Sequence, residues 1–184
     1  QVLAPRDDID TRLMLLWALQ QDGPVAIRYA RGQATTIGAA EGRDIARGEV
    51  LREGTDGNFL VVGPCAQACL DASDRLAEAG LSVGVVDARH IKPLDTTLVD
   101  GLLDRPVITV EENTLDGGFG SAVMEYVEGA GRLHELRIHR VGIPDVFSAQ
   151  ATRAEQLAAH DLDADGLFRR ALAFLQQEVP QVVN

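Results

Sequence analysis

Two arginines, Arg28 and Arg31, flank the end of a short β-prone run, Val25 to Tyr29, and Gly32 turns the chain directly after them. A guanidinium keeps its charge and meets phosphate through parallel N–H donors, so such a pair suits a phosphorylated ligand. The same pair serves equally well in a salt-bridged interface, and residue chemistry alone leaves both readings open. A second candidate is the turn Gly117-Gly118-Phe119-Gly120-Ser121, which follows an apolar strand and opens a helix, where backbone N–H groups can cradle an anion. It lacks the spacing of a dinucleotide fingerprint and the Lys-Ser/Thr of a P-loop. We read it as a turn that lets the helix pack close to the sheet.

Glu111 and Glu112 end the strand before that turn. Neighbouring side chains on a strand point to opposite faces, so the two carboxylates do not share a proton. One is expected to be buried and the other solvated, with a contact role at the strand end and no catalytic one. His90, His134, His139 and His160 show neither metal-ligand spacing nor an adjacent nucleophile, and no role is assigned to them. Cys65 and Cys69 share one face of a predicted helix without zinc-site spacing around them. They are expected to be buried thiols in a reducing cytoplasm.

These residues need a scaffold, and the apolar pattern supplies one. Asp7 to Gln21 carries Ile9, Leu13, Leu16, Trp17 and Leu19 at mostly helical spacing, and Asp22-Gly23-Pro24 stops it. Arg31 to Ala46 is rich in Gly, Ala and Thr with no sustained period, and reads as a linker between two domains. Beyond it lie an edge-like strand (Glu49 to Arg52) and three apolar strands at Phe59–Val62, Val83–Val86 and Val107–Val110. Leu136 to Val141 alternates as a half-exposed strand does. Helices are predicted from Ala66 to Ala79, at Asp95, after the glycine turn, from Arg153 to Ala159 and from Asp163 to Glu178. Continuous apolar strands alternating with helices imply an α/β fold, a mostly parallel sheet covered by helices on both faces, preceded by the tail of a second α/β domain.

The bulk numbers narrow the partners. The 184 residues carry a formal net charge of −11, which argues against nucleic acid or an anionic membrane. No apolar run approaches the roughly 20 residues that span a bilayer, and no signal-peptide pattern opens the chain. The opening Gln1-Val2-Leu3-Ala4-Pro5 reads as the end of a strand, so a fragment of a larger protein is expected.

Several segments together resemble the 1-deoxy-D-xylulose-5-phosphate synthase family of transketolase-type enzymes. Pro24 to Gly32 resembles its Arg-Tyr-Pro-Arg-Gly segment, and Val86-Asp87-Ala88-Arg89 with Ile91-Lys92-Pro93-Leu94-Asp95 resembles its strand-to-helix junction. Thr109 to Asn113 and Gly117 to Val123 are similar to its third strand and turn, and Val141-Gly142-Ile143-Pro144-Asp145 with Phe147 to its Gly-Leu/Ile-Pro-Asp segment. The segments stand in the family's order along nearly the whole chain. Lys-Pro-Leu-Asp and Val-Glu-Glu also occur in the β subunits of 2-oxoacid dehydrogenases; Arg-Tyr-x-Arg-Gly and Gly-Ile-Pro-Asp tilt the resemblance to the synthase. Ala30 stands where the family has proline, and Ala149-Gln150-Ala151 replaces its usual His-Gly or Gln-Gly, neither change removing a charge.

The resemblance implies a condensation of pyruvate with glyceraldehyde 3-phosphate, with loss of CO2, to 1-deoxy-D-xylulose 5-phosphate. Thiamine diphosphate and Mg2+ are the implied cofactors, their sites lying mainly in N-terminal domains that precede this stretch. No catalytic, cofactor or metal residue is therefore expected in this chain. Residues 1–38 correspond to the end of the pyrimidine-binding domain, 39–46 to a linker and 47–184 to the C-terminal domain of a cytoplasmic homodimer. Arg31 matches the family's substrate-phosphate arginine, with Arg28 beside it. The rivals are a 2-oxoacid dehydrogenase β subunit and a non-catalytic α/β assembly module. The latter is disfavoured because the opening residues have no sheet to join.

Overall fold

The computed structural model describes residues 1–33 and 35–178. In chain order the elements are β1 (Val2–Leu3), α1 (Asp8–Ala18), β2 (Ala26–Ile27), β3 (Glu49–Arg52), β4 (Gly57–Val62), α2 (Ala66–Glu78) and β5 (Val83–Asp87). They continue with β6 (His90–Lys92), α3 (Thr96–Asp100), β7 (Val107–Thr114), α4 (Phe119–Gly129), β8 (Ile138–Ile143), α5 (Arg153–Ala159) and α6 (Ala164–Glu178).

The main sheet runs β3-β5-β4-β7-β8, with β4, β5, β7 and β8 parallel and β3 antiparallel along one edge. Every residue of β4 and β5 is buried, as expected of strands covered on both faces. Phe59, Val61, Val85, Ile108 and Val110 pack on one side against Cys69, Ala72 and Leu76 of α2 and Leu167, Ala171 and Leu175 of α6. Leu60, Val62, Val86 and Val107 pack on the other against Val99 of α3 and Phe119, Val123 and Val127 of α4. The fold is thus the expected α/β arrangement.

The opening residues do have a sheet. β1 pairs with β2 in parallel and with β6 antiparallel, Leu3 lying opposite His90. The argument against a free-standing module therefore loses its premise. β6 escaped the sequence reading because three residues between two turns carry no apolar run; its partner lies far away along the chain.

The described residues of the stretch read as a linker include neither helix nor strand, yet Ile37 and Ile45 are buried within it. Helix α1 also differs from its predicted stripe. Asp10 and Met14 are buried with Leu13 and Trp17 beside them, whereas Leu16 and Leu19 face outward. The inner face was mistaken because one of its central residues is a carboxylate.

Candidate functional site

That carboxylate belongs to an ionic cluster binding residues 1–46 to the main sheet. Arg6 Nη1 donates to Asp87 Oδ2 at 2.9 Å and to Glu49 Oε2 at 2.8 Å. Arg43 Nη1 donates to Asp7 Oδ1 at 2.9 Å and Asp10 Oδ1 at 2.6 Å, and its Nη2 to Asp7 Oδ2 at 2.9 Å. Arg89 Nε donates to Asp10 Oδ2 at 3.2 Å, and its Nη2 to Glu49. Asp7 also caps α1, accepting from Asp10 N at 2.7 Å.

Three guanidiniums thus face four carboxylates. Burial pushes the Asp87 carboxyl up to about 6, although Arg6 and Arg89 pull it down. Burial also opposes ionisation of Asp7 and Glu49, but hydrogen bonds from Arg43 and from Arg6 respectively outweigh it and hold both below the usual range. Arg89 adopts φ 55°, uncommon for a side-chain-bearing residue, with its N–H donating to Asp87 Oδ1 at 3.2 Å. Nothing in the local spacing of these seven residues announces the cluster, since they are gathered from Arg6 to Arg89.

Above the cluster lies a groove of about 810 Å3 between α1, residues 29–33 and Thr35, the start of α2 and α5. Arg31 and Tyr29 line it from the loop after β2, Arg12 from α1 and Arg153 from α5, with Leu15, Pro64, Ala68, Leu157 and Leu162 as apolar wall. Arg153 grips Glu112 with two bonds, Nε to Oε1 at 3.1 Å and Nη2 to Oε2 at 2.6 Å. Arg28 turns the same way, its Nη2 donating to the Glu112 carbonyl at 2.6 Å while its Nη1 stands 3.9 Å from the carboxylate. The structure therefore separates the two predicted arginines. Arg28 ties the end of β2 to the end of β7, whereas Arg31 is exposed in the groove with no hydrogen-bond or ion-pair partner among the described residues.

Glu111 and Glu112 lie on opposite faces of β7, as alternation requires, but Glu112 is not solvated as expected: Arg153 covers it and leaves its side chain 14% exposed. Glu111 is buried and accepts from Phe119 N at 2.7 Å and Gly120 N at 2.9 Å, so the N-terminus of α4 is filled by the protein's own carboxylate. Burial raises the Glu111 carboxyl above its usual range, partly offset by those two N–H donors. A Cβ on Gly118 would come within 2.3 Å of Glu111 Oε2 and 2.2 Å of the Thr114 carbonyl oxygen, which is why the turn needs glycine there. The packing reading of the turn holds.

Cys65 and Cys69 are buried free thiols, and burial pushes Cys65 up to about 12, so neither geometry nor chemistry makes it a nucleophile. His90 Nε2 sits 2.9 Å from the Ile45 carbonyl oxygen, His139 stacks on Phe174, and His160 Nε2 lies 2.8 Å from Ser148 Oγ. His134 is exposed, its Nε2 3.9 Å from Glu135 Oε1. The four do not converge. Among the described residues no helix is long and apolar enough to cross a membrane.

Comparison with known proteins places this geometry. Residues 46–167 match the family model described as transketolase, C-terminal domain. A 1-deoxy-D-xylulose-5-phosphate synthase of Syntrophotalea carbinolica is 41% identical over 182 residues, which is 96% of this chain and 28% of that protein. A 1-deoxy-D-xylulose-5-phosphate synthase 1 of Geobacter metallireducens is 37% identical over 95% of the chain and 29% of its own length. A solved structure described as a split gene transketolase, an inactive beta4 tetramer, superposes with a TM-score of 0.86 at 30% identity. It covers 96% of this chain and 58% of its own. The chain thus spans less than a third of the length of these two synthases.

Proposed function

The chain belongs to the transketolase C-terminal domain family, and from that premise we propose that it is the C-terminal part of a 1-deoxy-D-xylulose-5-phosphate synthase. Residues 1–38 would end the pyrimidine-binding domain, 39–46 connect, and 47–184 form the C-terminal domain. The whole protein would condense pyruvate with glyceraldehyde 3-phosphate and release CO2, this stretch alone being inactive. A cytoplasmic homodimer is the form expected, and the tetramer named for the split-gene relative supports self-association of this fold.

Thiamine diphosphate and Mg2+ would be cofactors of the whole enzyme, and the residues described here do not fit them. The helix N-terminus after the glycine turn is taken by Glu111, and no described His, Cys, Asp or Glu cluster is placed to hold a metal ion. The chain's contribution is binding and positioning.

One observation carries the reading: Arg31 has no side-chain partner among the described residues and stands in an open groove, in a chain with 28 carboxylates. A guanidinium left free in so acidic a protein is set to meet an anion, and a substrate phosphate provides one. Arg28, tied to Glu112, instead holds the loop that carries Arg31. In the full-length parent, Arg31→Ala should remove a charge-assisted contact of about 1.5–3 kcal/mol. The Michaelis constant for glyceraldehyde 3-phosphate should rise by about one to two orders of magnitude, while that for unphosphorylated glyceraldehyde stays put. Equal loss with both acceptors, or none with either, would make the arginine structural and reopen the 2-oxoacid dehydrogenase alternative.

A further inference from the structure

Of the chain's 17 lysines and arginines, four have side chains with no hydrogen-bond or ion-pair partner among the described residues: Arg12, Arg31, Arg47 and Lys92. Arg47 lines a separate cavity of about 620 Å3, and Lys92 lines neither cavity. Arg12 and Arg31 line the same groove, one from the second turn of α1 and the other from the loop after β2. The groove's other arginines are already paired, Arg153 with Glu112 and Arg6 within the buried cluster.

Arg12 is unpaired despite a suitable neighbour. Asp8 stands one helical turn before it, the spacing at which a carboxylate and a guanidinium meet on a helix surface. Asp8 Oδ1 instead accepts from Thr36 Oγ1 at 2.8 Å, which orients the acid toward the 35–37 segment. The acids Asp7, Asp71 and Asp163 also line the groove, and none of them pairs with Arg12 or Arg31. Asp7 bonds Arg43, Asp71 accepts from Gln67 Nε2 at 2.8 Å, and Asp163 accepts from Gly166 N at 2.8 Å. Two free guanidiniums from two different elements therefore face one open space.

We propose that Arg12 is a second specificity-determining residue, closing with Arg31 on the phosphate of the acceptor substrate. The inference rests on reading the groove as the phosphate site. A phosphate near neutrality carries close to two negative charges and three acceptor oxygens, more than one guanidinium satisfies. A second cation from α1 supplies the balance and ties phosphate recognition to the helix whose base enters the buried cluster.

The test uses the full-length parent with Arg12→Gln, Arg12→Lys, Arg31→Ala and the Arg12→Gln/Arg31→Ala double variant, each assayed with glyceraldehyde 3-phosphate and with glyceraldehyde. Arg12→Gln should raise the Michaelis constant for the phosphorylated acceptor about tenfold, with kcat and the unphosphorylated acceptor unchanged. Arg12→Lys, which keeps the charge, should recover part of that loss. The double variant should lose most discrimination between the acceptors. If Arg12→Gln behaves as wild type while Arg31→Ala loses phosphate discrimination, the role given to Arg12 fails and the phosphate groove survives. If Arg31→Ala also leaves discrimination intact, both fail together. Arg12 is exposed, and an unchanged unfolding midpoint in Arg12→Gln separates a ligand effect from a folding one; a loss equal for both acceptors overturns the proposal.

Discussion

Arginines do opposite work in two adjoining regions of this molecule. In the buried cluster Arg6, Arg43 and Arg89 are each bound by at least two carboxylates. In the groove immediately above, Arg12 and Arg31 have no partner among the described residues. The same side chain is a structural fastener where its donors are filled and, in the function proposed, would be a ligand contact where they are left open. The difference lies in which carboxylates are already engaged, not in the number present, since acids line both regions.

The largest expected effect comes from breaking the fastener. Asp10 is fully buried and receives hydrogen bonds from Arg43 and Arg89. Asp10→Ala leaves buried N–H donors of Arg43 and Arg89 without their acceptor and should cost the parent protein about 3 kcal/mol or more of stability, read from the denaturant midpoint. Arg12→Ala or Arg31→Ala should shift the same midpoint by no more than about 0.5 kcal/mol. A groove variant as damaging as Asp10→Ala would erase the distinction.

The cluster's excess carboxylate gives a pH test of intermediate size. Asp87 is harder to ionise in the fold than in the unfolded chain, so its charge opposes stability above about pH 6, and that penalty is relieved as the pH falls toward 4. Glu111, also raised by burial, acts in the same direction. Asp7 and Glu49 are easier to ionise in the fold; their support is present above pH 4–5, near their ordinary values of 3.8 and 4.5, and lost below. From these groups, stability should hold or rise between pH 7 and pH 5, by on the order of 1–3 kcal/mol, and fall below about pH 4. Urea midpoints across that range check it; a steady fall from pH 7 to 5 would mean the cluster tolerates its fourth charge.

A smaller effect is expected at the junction of the two regions. Arg28 is 42% exposed and reaches the Glu112 carbonyl, so Arg28→Ala should cost under about 1 kcal/mol of stability. It should still weaken selection of the phosphorylated acceptor, by freeing the loop that holds Arg31. Loss of stability without any loss of selection would confine Arg28 to the fastener.

How much of this was legible in the sequence follows from whether each signal is local. The strands β4, β5 and β7 announce themselves as apolar runs, and the Glu111–Glu112 alternation and glycine turn read correctly because each depends on adjacent residues. β6 and the cluster depend on pairings between Leu3 and His90, or Arg6 and Asp87, which no local window contains. Arg31 stood out as a candidate through its strand-end position. Arg12 did not, because α1 was read for its apolar stripe and a solvent-facing arginine on a helix carries no signal until the acid a turn away is seen bonded elsewhere.

Inhibition of the full-length parent by inorganic phosphate, competitive with glyceraldehyde 3-phosphate, tests the groove most directly, because the inhibitor carries only the group Arg31 is held to bind. The inhibition constant in Arg31→Ala should rise about tenfold or more over wild type, with the unfolding midpoint unchanged. An inhibition constant identical in the two proteins would contradict the assignment of this groove to the substrate phosphate.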